Sequence, residues 1–139
     1  MSFWKCLKFG NIYEKKLVEH LKLENVELAP KKLFSDWDIK TDKATYEVKA
    51  DRFTHKTGNF CIEYESNKKP SGLSVTKATF YAYYVVKPSG EDLYIIPVQE
   101  LKELIKENKF NTRYLGNNYL SRCYLIPSEY FKNYLINSI

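Results

Sequence analysis

The chain has 139 residues, of which 44% are hydrophobic and 28% charged, and it carries a net charge of +5 at pH 7. This length suits one domain over residues 1–139 that folds without disulfides. The three cysteines, Cys6, Cys61 and Cys123, lack metal-ligand spacing, and we interpret them as small core residues of a protein in a reducing compartment. No apolar run approaches the roughly 20 residues of a membrane span and the first ten residues do not form a signal peptide, so we expect a soluble, cytoplasmic protein without a membrane partner.

The first predicted element is a helix from Gly10 to Leu23. Its apolar residues recur at helical spacing after Asn11, a good N-cap. Glu14 lies beside the apolar stripe and has two interpretations. It is either a solvated glutamate that pairs with nearby lysines, or a ligand that reaches a metal ion on the neighbouring sheet. Glu19 is its rival for the second role.

A hairpin is predicted next, with a strand over Leu33–Lys40, a turn at Thr41–Lys43 and a returning strand. Alternation places Asp36 and Asp38 on one face of the first strand, so either could bind a metal. We prefer Asp38, because it lies deeper in the strand, whereas Asp36 is nearer the open end.

The returning strand carries an acid and a lysine two residues apart. Glu47 and Lys49 therefore share one face, while the residue between them, Val48, points to the other. Asp38 precedes Glu47 by nine positions, enough to cross the turn and bring the two carboxylates together. Two such groups repel unless a cation lies between them, which predicts a metal site. The alternative is an exposed Glu47–Lys49 ion pair worth well under ~1 kcal/mol.

The order of these residues resembles a known pattern. The chain has a helical acid, then Asp38 on a strand, then Glu47-Val48-Lys49 on the next strand, and then an apolar strand. This order resembles the PD-(D/E)XK nuclease superfamily, and within it the small phage and archaeal Holliday-junction resolvases and related phage endonucleases. The resemblance covers roughly the first 85 residues, with Trp37 where the family has a proline. It implies an α/β fold with a restriction-endonuclease-like core, a central mixed β-sheet flanked by helices in the order αβββαβ.

The resemblance also implies a cofactor, Mg²⁺ or Mn²⁺, and a chemistry. Asp38, Glu47, the main-chain carbonyl of Val48 and Glu14 would hold one or two ions, which polarise the scissile phosphate and activate the attacking water. Lys49 would orient or deprotonate that water, or neutralise charge on the phosphate.

The remaining elements build the sheet and its cover. A strand over Phe60–Glu65 is expected beside the Glu47 strand, where Glu63, like Asp36, would hold water around the ion. A short capped helix beginning near Ser74 or Thr76 then leads into an apolar strand. The last predicted elements are a strand over Leu93–Pro97, a helix over Val98–Asn108, a polar connection over 109–122, a strand ending at Pro127 and a closing helix over Ser128–Ile136.

The basic balance favours a polyanionic partner, because clustering acids at one site leaves the rest of the surface more basic. The candidate nucleic-acid-binding residues are Arg52, Lys68, Lys69, Lys77, Arg113 and Arg122. The alternative for each is an ordinary solvated surface residue.

These observations give a first functional hypothesis, a Mg²⁺-dependent DNA endonuclease. The resemblance implies specificity for branched DNA and a homodimer, since two symmetric nicks need two sites. A restriction or repair nuclease would share the same centre. The alternatives of another kind are a catalytically silent DNA-binding module on the same scaffold and a small RNA-processing enzyme.

Overall fold

The computed structural model describes residue 9 and residues 11–30, 34, 36–115, 118 and 120–136. None of the helices within these ranges has the length and apolar character of a membrane span. The α-helices and strands, in chain order, are α1 (Ile12–His20), β1 (Glu27–Leu28), β2 (Ile39–Lys40), β3 (Thr45–Asp51), α2 (Thr54–Thr57), β4 (Asn59–Ser66), β5 (Lys69–Pro70), β6 (Phe80–Lys87), β7 (Gly90–Pro97), α3 (Val98–Glu107), β8 (Asn111–Leu115), β9 (Ser121–Pro127) and β10 (Leu135–Ile136).

The strands form two sheets. The larger is mixed, with six strands in the order β1-β2-β3-β6-β7-β10; β3 and β6 run parallel and the other neighbours antiparallel. The smaller is antiparallel, in the order β5-β4-β9-β8. The expected α/β class with a central mixed sheet is therefore confirmed.

The larger sheet is covered on both faces, which explains the apolar run of β6. On one face α1 buries Leu17 and Val18 against Tyr46 and Tyr84. On the other face the smaller sheet, α3 and the 3-10 helix Ser128–Tyr134 enclose a second core around Tyr83. Each fully buried aliphatic side chain in these cores contributes roughly 1.5–3 kcal/mol.

The helix and hairpin before the site form largely as predicted. The side chain of Asn11 caps α1 by accepting hydrogen bonds from the N–H groups of Tyr13 and Glu14. The strand predicted over 33–40 is shorter, however: only Ile39–Lys40 pairs with β3, and residues 36–38 are irregular. The regular pairing ends before Asp38 because Asp38 contacts Val48 of β3 through its side chain and not through its main chain. Residues 33 and 35 lie outside the described ranges.

Three later predictions are wrong. The strand β4 does not lie beside β3, whose neighbour is β6, but belongs to the smaller sheet. The polar connection over 109–122 contains β8 and the start of β9. The closing helix is a 3-10 helix over Ser128–Tyr134 followed by β10. Of the cysteines, Cys123 is buried and Cys61 half-buried, while Cys6 lies outside the described residues.

Candidate active site

The open edge of β3 holds the first part of the site. The strand β2 pairs with β3 only at Thr45 and Tyr46. One residue pair further on, Oδ2 of Asp38 accepts a hydrogen bond from the N–H of Val48 at 2.8 Å. The N–H and C=O of a strand residue point to the same side, so the Val48 carbonyl faces the same edge as the Asp38 carboxylate. A carboxylate and a main-chain carbonyl thus lie together where the sheet pairing ends.

Glu47 is held by a hydroxyl that lies far away in sequence. Thr76 is 4% exposed, and its Oγ1 accepts a hydrogen bond from the N–H of Ala78 at 3.2 Å. Its proton can go to Oε1 of Glu47 at 3.0 Å or to the carbonyl of Asp36 at 3.1 Å. The Asp36 carbonyl also accepts the N–H of Lys77 at 2.8 Å, so Thr76 and Lys77 both link this segment to the start of β6.

The charge of the site is concentrated around Glu47. Burial raises the pKa of Glu47 to about 7, and the charge of Asp38 adds to the effect. The hydrogen bond from Thr76 opposes the rise, while Glu63 and Glu14 contribute to it. Burial also raises the pKa of Asp38, against the lowering effect of the Val48 N–H. Three carboxylates are therefore close enough to act on Glu47, and a cation beside Glu47 would offset their repulsion.

Glu14 enters the cluster from α1. It is 8% exposed, so the interpretation as a solvated surface residue does not hold, whereas Glu19 is exposed. The capping residue Asn11 fixes its position: Oδ1 of Asn11 accepts the N–H of Glu14 at 3.0 Å, and Nδ2 of Asn11 lies 3.5 Å from the Glu14 carboxylate.

Glu63 approaches from the smaller sheet, not from a strand beside β3. The hydroxyl of Ser71 donates a hydrogen bond to its Oε2 at 2.9 Å. The next residue, Gly72, has φ +50 and lies so close to β4 that an added Cβ would be 2.3 Å from the carbonyl oxygen of Glu63. Only glycine permits this approach, which sets the loop against β4 and holds Ser71 beside the carboxylate.

Lys49 lies on the face of β3 that is turned toward the smaller sheet. It is exposed and shares this face with Glu47. Burial raises the pKa of Cys61 and of Cys123, two thiols of the smaller sheet, to about 11, and the charge of Lys49 acts in the opposite direction on both. The charge of Lys49 therefore acts on the side of the smaller sheet that carries these two thiols.

Among the predicted phosphate-binding residues, Arg113 lies on the same face of the smaller sheet as Glu63. It is opposite Cys123 in the register of β8 and β9, and Cys123 is opposite Glu63 in the register of β9 and β4. The three side chains thus form a row on one face of the smaller sheet. Because the charge of Arg113 lowers the pKa of Cys61, its guanidinium lies on this side as well.

The other basic residues are dispersed. Lys77 pairs with Asp36 at 3.9 Å, which turns the Asp36 carboxylate toward the surface. Arg122 lies over the rings of Tyr114 at 5.3 Å and Tyr64 at 5.9 Å. Lys68 is exposed in the turn from β4 to β5, Lys69 is exposed at the start of β5, and Arg52 is exposed directly after β3.

The arrangement offers a metal ion two carboxylates and a carbonyl. No three His, Cys, Asp or Glu side chains converge into a preformed metal cage in the part of the chain that the structure describes. The Val48 carbonyl faces the edge that the Asp38 carboxylate occupies, and the charge of Asp38 acts on Glu47 more strongly than the charges of Glu63 and Glu14.

Two contacts were not predicted from the sequence as parts of the site. Thr76 was expected near a helix start and Ser71 was not singled out, yet their hydroxyls hold Glu47 and Glu63. Neither contact has a signal in the local sequence, because each joins residues that only the tertiary fold brings together.

Comparison with known proteins gives no family: no family model, no curated protein and no solved structure matches this chain.

Proposed function

We propose that this protein is a Mg²⁺- or Mn²⁺-dependent deoxyribonuclease with a restriction-endonuclease-like core. The observation that carries the proposal is the joint position of three groups at the edge of β3: the Asp38 carboxylate, the Val48 carbonyl and the Glu47 carboxylate. Lys49 lies two residues further on the same strand, on the face of Glu47.

The oxygen ligands fit the ion. Mg²⁺ is usually bound through one or two carboxylates together with waters and substrate phosphates, so a cage of three acidic side chains is not required. Glu47 has its pKa raised to about 7 by burial and by neighbouring acids, and a divalent ion offsets that repulsion. When bound, the ion polarises the phosphate and lowers the pKa of a water molecule.

The protein side chains supply positioning and charge. Asp38 and Glu47 would hold the ion beside the scissile phosphate. Lys49, exposed beside them, either orients and deprotonates the attacking water or neutralises the charge that builds on the phosphate. Glu14 and Glu63 lie at the border of the site and would hold water molecules.

We further propose that DNA lies against the face of the smaller sheet that carries Glu63 and Arg113 and that the protein acts as a homodimer. Arg113 supports the first part, because it is exposed and lies in the same row as Glu63. The resemblance to Holliday-junction resolvases supports specificity for branched DNA. A restriction or repair nuclease remains an alternative with the same centre.

A second candidate is a catalytically silent DNA-binding module on the same scaffold. It is favoured by one observation, that no three acidic, histidine or cysteine side chains of the described residues converge into a metal cage. The joint presence of Asp38, Glu47 and Lys49 favours the enzyme instead.

A cleavage assay tests the proposal. Labelled four-way junction, linear duplex, single-stranded DNA and RNA are incubated with the protein in Mg²⁺ or in EDTA. Lys49→Ala is compared with Lys43→Ala, which removes an exposed lysine from the β2–β3 turn. We expect cleavage of DNA in Mg²⁺ by the wild type and by Lys43→Ala, and none in EDTA or with Lys49→Ala. Binding without cleavage in every condition would instead support the silent module, and light scattering tests the dimer.

A further inference from the structure

The turn after β3 presents an aromatic ring to solvent. Phe53 is 66% exposed, the highest exposure among the large hydrophobic side chains that the structure describes. It follows β3, the strand of Glu47 and Lys49, by two residues. A single exposed apolar ring is common on protein surfaces, so its meaning depends on what holds it and on the charges around it.

The backbone under this ring is anchored by a buried carboxylate. Asp51 is 5% exposed, and its Oδ1 accepts the N–H of Phe53 at 2.7 Å and the N–H of Thr54 at 3.1 Å. Its Oδ2 accepts the hydroxyl proton of the buried Tyr83. The same hydroxyl accepts the N–H of Cys61 at 2.9 Å, which ties the turn to the smaller sheet.

The turn is also closed at its other end. The carbonyl of Phe53 accepts the N–H groups of Lys56 at 2.9 Å and Thr57 at 3.0 Å. Gly58, with φ +75, ends α2 by donating to the carbonyl of Thr54 at 2.7 Å. The ring of Phe53 therefore projects from a fixed backbone and not from a loose loop.

Cationic and titratable residues lie on the same turn as Phe53. Arg52, His55 and Lys56 are exposed on the same short turn. Within the described ranges none of the three forms an ion pair, and no acid lies on the turn itself apart from the buried Asp51. An apolar ring flanked by unpaired positive charge complements a ligand with flat apolar bases and a phosphate backbone, which is nucleic acid.

We propose that Phe53 is a wedge that stacks on a base exposed at a discontinuity in DNA, with Arg52 and Lys56 on the adjacent phosphates. The inference rests on the proposed nuclease function and deepens it by naming the DNA feature that is recognised. Phe53 follows Lys49 by four positions, so their Cα atoms are at most about 14 Å apart. With phosphates about 3.4 Å apart along the helix axis on each strand, this distance corresponds to about four base steps.

The test measures binding without cleavage, so that it does not depend on catalysis. All variants are made in a Glu47→Gln background, and the ligands are a four-way junction and a linear duplex of equal length and sequence, each with 2-aminopurine at the position of the branch point. Phe53→Ala is compared with Phe53→Tyr, which keeps a stacking ring, and with Ile12→Ala, which removes a side chain of similar exposure, 63%, on α1.

We expect Phe53→Ala to weaken junction binding by about 5- to 150-fold, the range for loss of one base–aromatic stack, and to change duplex binding less than twofold. It should also abolish the 2-aminopurine fluorescence change, while Phe53→Tyr and Ile12→Ala resemble the background protein. The inference is overturned if Phe53→Ala leaves junction binding unchanged, weakens both ligands equally, or changes the oligomeric state in light scattering. Failure of the nuclease proposal is distinguishable, because it appears as absence of cleavage by the wild type whatever this binding assay shows.

Discussion

Replacing Glu47 with glutamine should stabilise the folded protein at alkaline pH while it abolishes DNA cleavage. The structure places the Glu47 carboxyl among Asp38, Glu63 and Glu14, and burial with these charges raises its pKa to about 7 from an ordinary value of 4.5. A glutamine has nearly the same shape and carries no charge. It keeps an oxygen that can accept the hydroxyl proton of Thr76.

The magnitude follows from proton linkage. Between pH 4.5 and 7 the folded protein retains a proton on Glu47 that the unfolded chain releases, so the free energy of unfolding falls as the pH rises through this window. Each pH unit between the two pKa values is worth about 1.4 kcal/mol, which gives a total of about 3 kcal/mol. The stability contribution of the protonated form is complete below pH 4.5 and lost above pH 7.

Urea denaturation from pH 4.5 to 8.5, without divalent ions, measures the effect. Glu47→Gln should match the wild type at pH 4.5 and exceed its unfolding free energy by about 3 kcal/mol at pH 8.5. The control Glu27→Gln, at an exposed position on β1, should follow the wild type throughout. Mg²⁺ at one hundred times its dissociation constant should raise the wild-type stability by about 2.7 kcal/mol and leave Glu47→Gln unchanged. Equal pH dependence in wild type and Glu47→Gln would refute the reasoning.

Three further predictions concern the groups around the site. Thr76→Val removes the hydroxyl that donates to Glu47 and should lower the rate of single-turnover cleavage about tenfold or more. Thr76→Ser keeps the hydroxyl and should restore the rate. Equal rates in both variants would exclude a role for this hydrogen bond. Burial raises the pKa of Asp51, but the hydrogen bonds that it accepts lower the pKa by more, so the net pKa is below the ordinary value of 3.8. The Asp51 carboxylate therefore stabilises the fold above pH 3.8, and this stabilisation is lost as the pH falls through the pKa of the folded state. Asp51→Ala should therefore lower the unfolding free energy at pH 7 by at least about 3 kcal/mol and flatten its decline in acid, and an unchanged denaturation midpoint would contradict this. In thermal melts, Gly72→Ala should lower the melting temperature more than Gly58→Ala. Both glycines have positive φ, but only a Cβ at position 72 would meet another atom within 4 Å, a carbonyl oxygen at 2.3 Å. Equal losses would argue against the close approach of Gly72 to β4.

The local elements of the site could be predicted from the sequence because their signals are local. Asn11 before an apolar stripe marks the start of α1, and the structure shows its side chain capping that helix. The alternation in β3 puts Glu47 and Lys49 on one face, and the short turn brings Asp38 back to the strand. These relations span few residues, and each follows from backbone geometry alone.

The second sheet could not be predicted, because its pairing is long-range and its edge strand lacks the usual pattern. The strand β8 is exposed at four of its five positions, so it shows no alternation of apolar and polar residues. The pairing of β4 with β9 joins segments about sixty residues apart. The contact of Thr76 with Glu47 depends on the parallel pairing of β3 with β6, which local sequence does not specify.

Anomalous diffraction from crystals grown with Mn²⁺ tests the central claim most directly. The account predicts an anomalous peak at the edge of β3, bound by the carboxylates of Asp38 and Glu47 and by the main-chain carbonyl of Val48, and loss of that peak in Glu47→Gln. A peak elsewhere, or an Mn²⁺-grown crystal in which Glu47 keeps its contact with Thr76 and no ion lies between the two carboxylates, would contradict it.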